Sequence, residues 1–252
     1  MRVVQIGELK IGEGKPKICV PMMGKTIDAL TVEAQEVSKL PADLVEWRVD
    51  HFADWTSFSQ VKAAAKAIAQ YINVPILFTF RTAEEGGESA IGKEPYKNLL
   101  SQAAILPEIS LIDVEIYFDT QAVKNIISNV HAAGKFVIAS NHDFEKTPPK
   151  DEIIKRLCYM EQMGADISKI AVMPQEKSDV VMLLSATMEM YDKYATGPIV
   201  TMSMSRTGVV SRVIGESTGS AITFGAAGKA SAPGQIPAEK MAELLEALHT
   251  IV

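Results

Sequence analysis

Lys169 interrupts an otherwise apolar run, Ile167-Ser168-Lys169-Ile170-Ala171-Val172-Met173-Pro174. A strand packed on both faces excludes an unpaired ammonium group, because burying a charge without a partner is costly. A dry setting favours the neutral amine. Beside a ketone, a neutral amine is a nucleophile that condenses to an imine. The competing reading is a lysine at a strand edge with its tip in water, the commonest fate of lysine. His142 is the second candidate. It follows an apolar run, stands between Asn141 and Asp143, and carries the side chain best suited to moving protons near neutrality. Its alternative is a hydrogen-bonded loop histidine. His131 and His249 fall in helical patterns and His51 follows a run end, so these three read as surface or structural groups.

Charged residues collect at the ends of other apolar runs. One run ends Glu46-Trp47-Arg48-Val49-Asp50, another Thr79-Phe80-Arg81 with Glu84-Glu85-Gly86-Gly87-Glu88 behind it, and a third at Asp113 and Glu115. Thr201-Met202-Ser203-Met204 closes a later run, and Arg212 follows. Alternation along a strand puts Glu46 with Arg48, and Thr79 with Arg81, on common faces. Any one such pair reads as an ordinary surface ion pair. Repeated at five run ends, they point to a shared polar mouth.

That mouth needs a scaffold. Eight short apolar runs occur at residues 17–20, 44–48, 76–80, 111–115, 136–140, 169–173, 199–203 and 221–224. They are nearly continuous rather than alternating, as strands covered on both faces must be. Between most of them the apolar residues recur with helical spacing: 26–40, 57–71, 119–133, 151–163, 178–194 and 238–251. In the fifth, the stripe is Val181, Leu184 and Met188. Strand and helix alternate eight times over 252 residues, which suits a single-domain (β/α)8 TIM barrel. A doubly wound open sheet is second. Residues 3–11 read as a hairpin capping the bottom of the barrel. A barrel places its chemistry at the C-terminal ends of its strands, where the charged residues lie.

Composition narrows the classes. A net charge of −6 and a pI near 5.3 argue against a nucleic-acid surface. No apolar stretch approaches the roughly 18 residues that span a bilayer, and MRVVQIGELKIGEGKPK lacks the apolar core of a signal peptide. A cytoplasmic protein is expected. Cys19 and Cys158 form no metal-binding or disulfide pattern, and no other metal signature appears. The small-residue stretch 225–237, GAAGKASAPGQIP, reads as a lid or a plain loop. It is not a nucleotide loop, since Thr223 stands at the first-glycine position and Ala230 follows Lys229.

Six ordered segments closely resemble type I 3-dehydroquinate dehydratases: EWRVDHF (46–52), LFTFRTAEEGGE (77–88), SNHDF (140–144), KIAVMPQ (169–175), TMSM (201–204) and SAPGQ (231–235). The resemblance covers essentially the whole chain. It implies a lyase of the shikimate pathway that dehydrates 3-dehydroquinate to 3-dehydroshikimate through an imine, with no cofactor. By motif, Lys169 is then the Schiff-base lysine, His142 the general acid/base, and Glu85 its orienting partner. Arg212 binds the substrate carboxylate, and Glu46, Arg48 and Arg81 the ring hydroxyls. Ser231 and Gln235 belong to a closing loop; Met202, Met204 and Phe224 form an apolar wall. A homodimer is implied as well. Pro21 departs from the pattern, standing where some members carry serine. A Schiff-base aldolase shares the barrel and lysine. Its phosphosugar forms need a phosphate site after the last strands, and the loop here offers little basic character beyond Lys229. A non-catalytic barrel that binds a small molecule is the remaining alternative.

Overall fold

The computed structural model describes residues 3–228 and 234–251. Ser231 and Lys229 lie outside them. A short antiparallel hairpin, β1 (Val4–Ile6) and β2 (Leu9–Ile11), comes first. Eight parallel strands follow: β3 (Lys17–Met22), β4 (Leu44–Arg48), β5 (Ile76–Thr79), β6 (Leu111–Glu115), β7 (Phe136–Asp143), β8 (Ile167–Val172), β9 (Ile199–Ser203) and β10 (Ile222–Ala226). They pair in chain order, and β10 returns to lie beside β3. The ring closes where the Ala221 N–H donates to the Ile199 carbonyl at 2.8 Å, beside a bridge between Ile199 and Ser220. This is the (β/α)8 barrel expected from the spacing of the runs.

The helices are α1 (Ile27–Val37), α2 (Phe58–Ala69), α3 (Lys93–Ala104), α4 (Thr120–Ala132), α5 (Lys150–Gln162), α6 (Lys177–Lys193), α7 (Gly215–Thr218) and α8 (Ala238–His249). Side chains mark several starts. Thr26 accepts from the Ala29 N–H before α1, Asp119 from the Ala122 N–H before α4, and Glu176 and Asp179 form a reciprocal capping box at α6. Two helices go beyond the six read from spacing. In α3, Pro95 sits in the first turn, where proline is tolerated, and Tyr96, Leu99, Leu100, Ala103 and Ala104 are buried. The other, α7, is a single turn.

The α6 stripe needs a correction. Its core face is Val180, Leu183, Ala186, Thr187 and Met190, whereas Val181 and Met188 are exposed. Apolar residues occupy both sides of this helix, so spacing alone selected a stripe rotated by one residue, about 100°. The loop 225–237 is corrected as well. β10 runs on through Gly225 and Ala226, which pair with Ile236 and Pro237 of β11 (Ile236–Pro237). Pro21 lies near the end of β3, one residue before its last, and beyond the point where the β10 ladder stops at Cys19.

Parity separates the core in two. Outward strand residues such as Val45, Trp47, Phe78, Ile112 and Ile170 pack under the helices. Inward residues Cys19, Leu44, Leu77, Leu111, Ile138, Ile167, Val200 and Ile222 fill the barrel, and Val4 and Ile11 of the hairpin seal them from below. The hairpin thus plugs the bottom, and every further inward position stands on a dry floor.

Candidate active site

Two residues beyond that apolar layer, the inward positions become polar: Glu46, Thr79, Asp113, Ser140 and Lys169. Two further along come Arg48, Arg81, Glu115 and His142. The group is buried; Glu46, Arg81, Asp113, Glu115 and Lys169 are each less than 5% exposed. Charges at such depth must compensate one another. Arg81 is the hub. Its Nη1 donates to Glu115 Oε1 at 2.9 Å and Ser140 Oγ at 3.0 Å, and its Nη2 to Asp113 Oδ1 at 2.8 Å. Glu115 takes further bonds from the Thr82 N–H at 2.8 Å and hydroxyl at 2.7 Å.

Lys169 Nζ stands 3.3 Å from Asp113 Oδ2 and 3.7 Å from Glu46 Oε1, and 4.6 Å above the centre of the Phe224 ring. It is therefore inside the barrel and not at a wet strand edge. The expectation of an unpaired amine is corrected: two carboxylates flank the nitrogen and offset the cost of burying its charge. Glu46 also accepts from the Thr79 hydroxyl at 3.0 Å.

His142 Nδ1 lies 2.9 Å from Glu85 Oε2, which also takes the His142 backbone N–H at 2.9 Å. Glu85 Oε1 accepts from Asn141 Nδ2 at 3.1 Å, and Arg81 Nη1 is 3.6 Å from Oε2. Two glycines allow this placement. Gly86 adopts φ +82°, and a Cβ there would fall 2.4 Å from the Phe144 ring; a Cβ on Gly87 would fall 1.9 Å from the Arg81 carbonyl oxygen. The turn can therefore fold back on the strand end and bring Glu85 to the imidazole. Burial pushes the Glu85 carboxyl up to about 8, with Arg81 opposing it. Burial, aided by the positive charges of Arg81, Lys169 and Arg48, holds His142 well below the ordinary histidine range.

Arg48 forks onto Asp50, Nε to Oδ1 at 2.9 Å and Nη2 to Oδ2 at 2.8 Å. Arg212, in a short turn after β9, is buried, and that burial lowers its guanidinium to about 10, still charged at neutrality. A cavity of about 210 Å³ opens over the amine. The structure brings Glu46, Arg48, Arg81, Glu85, His142, Lys169, Met202, Met204, Arg212, Phe224 and Gln235 together around it; Ser231 lies outside the described residues. Asp50, Asp113 and Glu115 were read at the ends of their runs, and Ser140 and Phe144 within SNHDF, but none was assigned a partner; Asp113 shares its inward face with Glu115, two residues on. Away from the cavity, His131 meets Asp166 at 2.8 Å and His249 meets Glu216 at 2.7 Å, both structural pairs.

Among the described residues no cluster of three or more His, Cys, Asp and Glu side chains is placed to hold a metal. Nor is any helix long and apolar enough to cross a membrane. The family model described as Type I 3-dehydroquinase matches residues 18–252. The chain is 50% identical over 250 residues to a 3-dehydroquinate dehydratase of Salmonella agona (strain SL483), covering 99% of each. It is 46% identical over 249 residues to that of Clostridioides difficile (strain 630), covering 98% of each. The crystal structure of type I 3-dehydroquinate dehydratase from Clostridium difficile with covalently modified comenic acid superposes with a TM-score of 0.97 at 46% identity, over 100% of this chain and 99% of that one.

Proposed function

The chain belongs to the type I 3-dehydroquinase family, and on that premise we propose that it dehydrates 3-dehydroquinate to 3-dehydroshikimate through an imine on Lys169. One observation carries the reading: a lysine amine enclosed in the barrel mouth shares a small cavity with a histidine–carboxylate pair. The reaction must take a proton from a carbon next to a ketone and expel a hydroxyl from the following carbon. Lys169 passes a proton to a flanking carboxylate, its free amine adds to the ketone carbon, and loss of water with return of that proton leaves a protonated imine, a stronger electron sink than the carbonyl. His142 then removes the neighbouring proton, and the electron pair moves into an enamine. Return of that pair expels the hydroxyl, which leaves as water with the proton held by His142. A second water hydrolyses the imine and frees Lys169. One water is consumed, two are released, and the net change is loss of one.

The surrounding groups divide the remaining work. Glu85 fixes the imidazole, with Nδ1 toward its carboxylate and Nε2 on the opposite edge of the ring. Arg212 grips the substrate carboxylate and so fixes the ring against Lys169 and His142. The Nη donors of Arg81 bond Glu115, Ser140 and Asp113, so its part is to hold the carboxylates in place. Glu46 and Arg48 remain for the ring hydroxyls. Met202, Met204 and Phe224 form the apolar wall, and Gln235 closes over the ligand. A place in the shikimate pathway, a cytoplasmic location and a homodimer complete the proposal; sedimentation tests the last.

Incubation with 3-dehydroquinate and borohydride is expected to add mass to the peptide containing Lys169, while absorbance of the conjugated enone reports turnover. Lys169→Ala abolishes both. His142→Ala still traps an imine but no longer eliminates. A Lys169 peptide of unchanged mass rejects the imine.

A further inference from the structure

We infer that Arg156, on the outer helix layer, is a positioning residue for the His142–Glu85 pair and acts through the side-chain amide of Asn141. The inference rests on the proposed role of that pair in proton transfer. His142 points into the barrel, so its neighbour Asn141 points out toward the helices. There Asn141 Oδ1 accepts from Arg156 Nη1 at 3.0 Å, while Asn141 Nδ2 donates to Glu85 Oε1 at 3.1 Å. Arg156 is itself held by Glu152, one turn earlier on α5, through Nε at 3.0 Å, and stands 3.7 Å from Asp143. Seen from outside, Glu152 and Arg156 are an ordinary i,i+4 pair of a half-buried helix face. Followed inward, they lead in two steps to the imidazole.

The chemistry of the amide makes the chain directional. A guanidinium only donates and a carboxylate only accepts. Asn141 sits between one of each, so its oxygen must face Arg156 and its nitrogen Glu85. Without Arg156 the amide is fixed from the Glu85 side alone, and a half-turn that aims its oxygen at a protonated Glu85 becomes open to it. The donated bond favours the ionised form of Glu85. That form keeps the imidazole proton on Nδ1 and leaves Nε2 able to accept the substrate proton. Other groups act on the same pair and are unchanged by the substitution. Arg81 faces Glu85 from the end of β5, Glu115 and Asp113 from β6, and Lys169 and Arg48 act on His142 across the cavity. Tyr117, stacked on Tyr159, stands near both Arg156 and Glu85.

The test compares pH profiles of kcat and kcat/KM for the wild type, Arg156→Met, Arg156→Lys, Asn141→Ala and the double variant Arg156→Met/Asn141→Ala. Losing one hydrogen bond to a carboxylate moves the acid limb of the profile up by about one pH unit in Arg156→Met. The alkaline plateau and KM are retained. Lysine can still donate to the Asn141 oxygen, so Arg156→Lys returns most of the shift. Asn141→Ala shows the same shift, and the double variant adds nothing, because both act through one bond. Should Arg156→Met fail to fold, Asn141→Ala and Arg156→Lys still decide the matter through their limbs. A fall in rate at every pH with the limb unmoved, or single shifts that add in the double variant, would overturn the inference. Borohydride trapping on the wild type separates the levels. An enzyme that traps the imine and turns over, but whose limbs stay put, sinks this inference alone. One that does neither sinks the underlying function, and this inference with it.

Discussion

Replacing Arg81 by methionine tests whether the mouth of the barrel is held by charge. Arg81 is 3% exposed and bonds Asp113, Glu115 and Ser140 at 2.8–3.0 Å, with Glu85 at 3.6 Å. Methionine keeps the aliphatic stem and removes the guanidinium. Taking one partner from a buried ion pair costs about 3–5 kcal/mol. Two features soften the loss: Lys169 remains 3.3 Å from Asp113, and Glu115 keeps both bonds from Thr82. A loss of about 3 kcal/mol at pH 7 is therefore expected, or roughly 6–12 °C in Tm. The pH dependence identifies the cause. Burial alone would raise the Asp113 carboxyl, but Arg81 and Lys169 bring it below the ordinary carboxylate value. Such a group stabilises the fold above its unfolded pKa of about 4 and loses that contribution as pH falls through the lower folded value. In the variant the carboxyl rises instead, and protonation relieves it. The stability gap between the two proteins should then be widest at neutral pH and narrow below about pH 4. Urea unfolding at both pH values measures it. A neutral-pH loss below about 1 kcal/mol, or a gap of constant width, would refute the reasoning.

Three further substitutions follow from the same geometry. Gly86→Ala combines a positive φ with a Cβ 2.4 Å from the Phe144 ring, so a loss of about 1–3 kcal/mol is expected together with a fall in kcat as Glu85 shifts from His142; thermal unfolding and turnover measure the two. Arg48→Met removes the fork that, against burial, lowers the Asp50 carboxyl; the wild type should lose stability as pH falls from about 4 through the lower folded value, and the variant should lose that part of the slope. Thr187→Val leaves the buried Thr201 hydroxyl without its 2.7 Å partner and should cost about 1–3 kcal/mol, while Thr187→Val/Thr201→Val should cost less than the sum of the single changes.

Much of the fold could be read because burial on two faces imposes a simple code. All eight apolar runs became strands, and 44–48, 111–115 and 199–203 matched their bounds. The code fails where it is degenerate. In α6, Val180 and Val181 both suit a core, and only packing decides that Val180 faces it. In α3, Pro95 obscured a start that the first turn tolerates. The site was legible by parity and motif, which gathered inward positions from seven strands and their following loops. What lay beyond reach was the pairing. Nothing local to Arg81 says that it spans to Asp113 and Glu115, 32 and 34 residues away. Arg156 was hidden more fully, since its visible partner Glu152 makes it look like a surface ion pair.

Burial of the acid/base pair has a chemical consequence for the proposed reaction. Glu85 and His142 are both displaced toward their uncharged forms, and for both the first cause is loss of water. Oε2 and Nδ1 lie 2.9 Å apart, so the two groups titrate as a unit. Surrounded by Arg81, Lys169 and Arg48, the imidazole resists keeping a second charge. A histidine that takes a proton from carbon in such a place is a weak reservoir and a ready donor, which is what the departing hydroxyl requires one step later. Lys169 sits under the opposite influence, with Asp113 and Glu46 as its neighbours, and these favour the cationic iminium through which the electron pair must pass. The same buried charges that hold the mouth together therefore divide the labour: anions beside the nitrogen that must become a stable cation, and cations beside the ring that must release a proton.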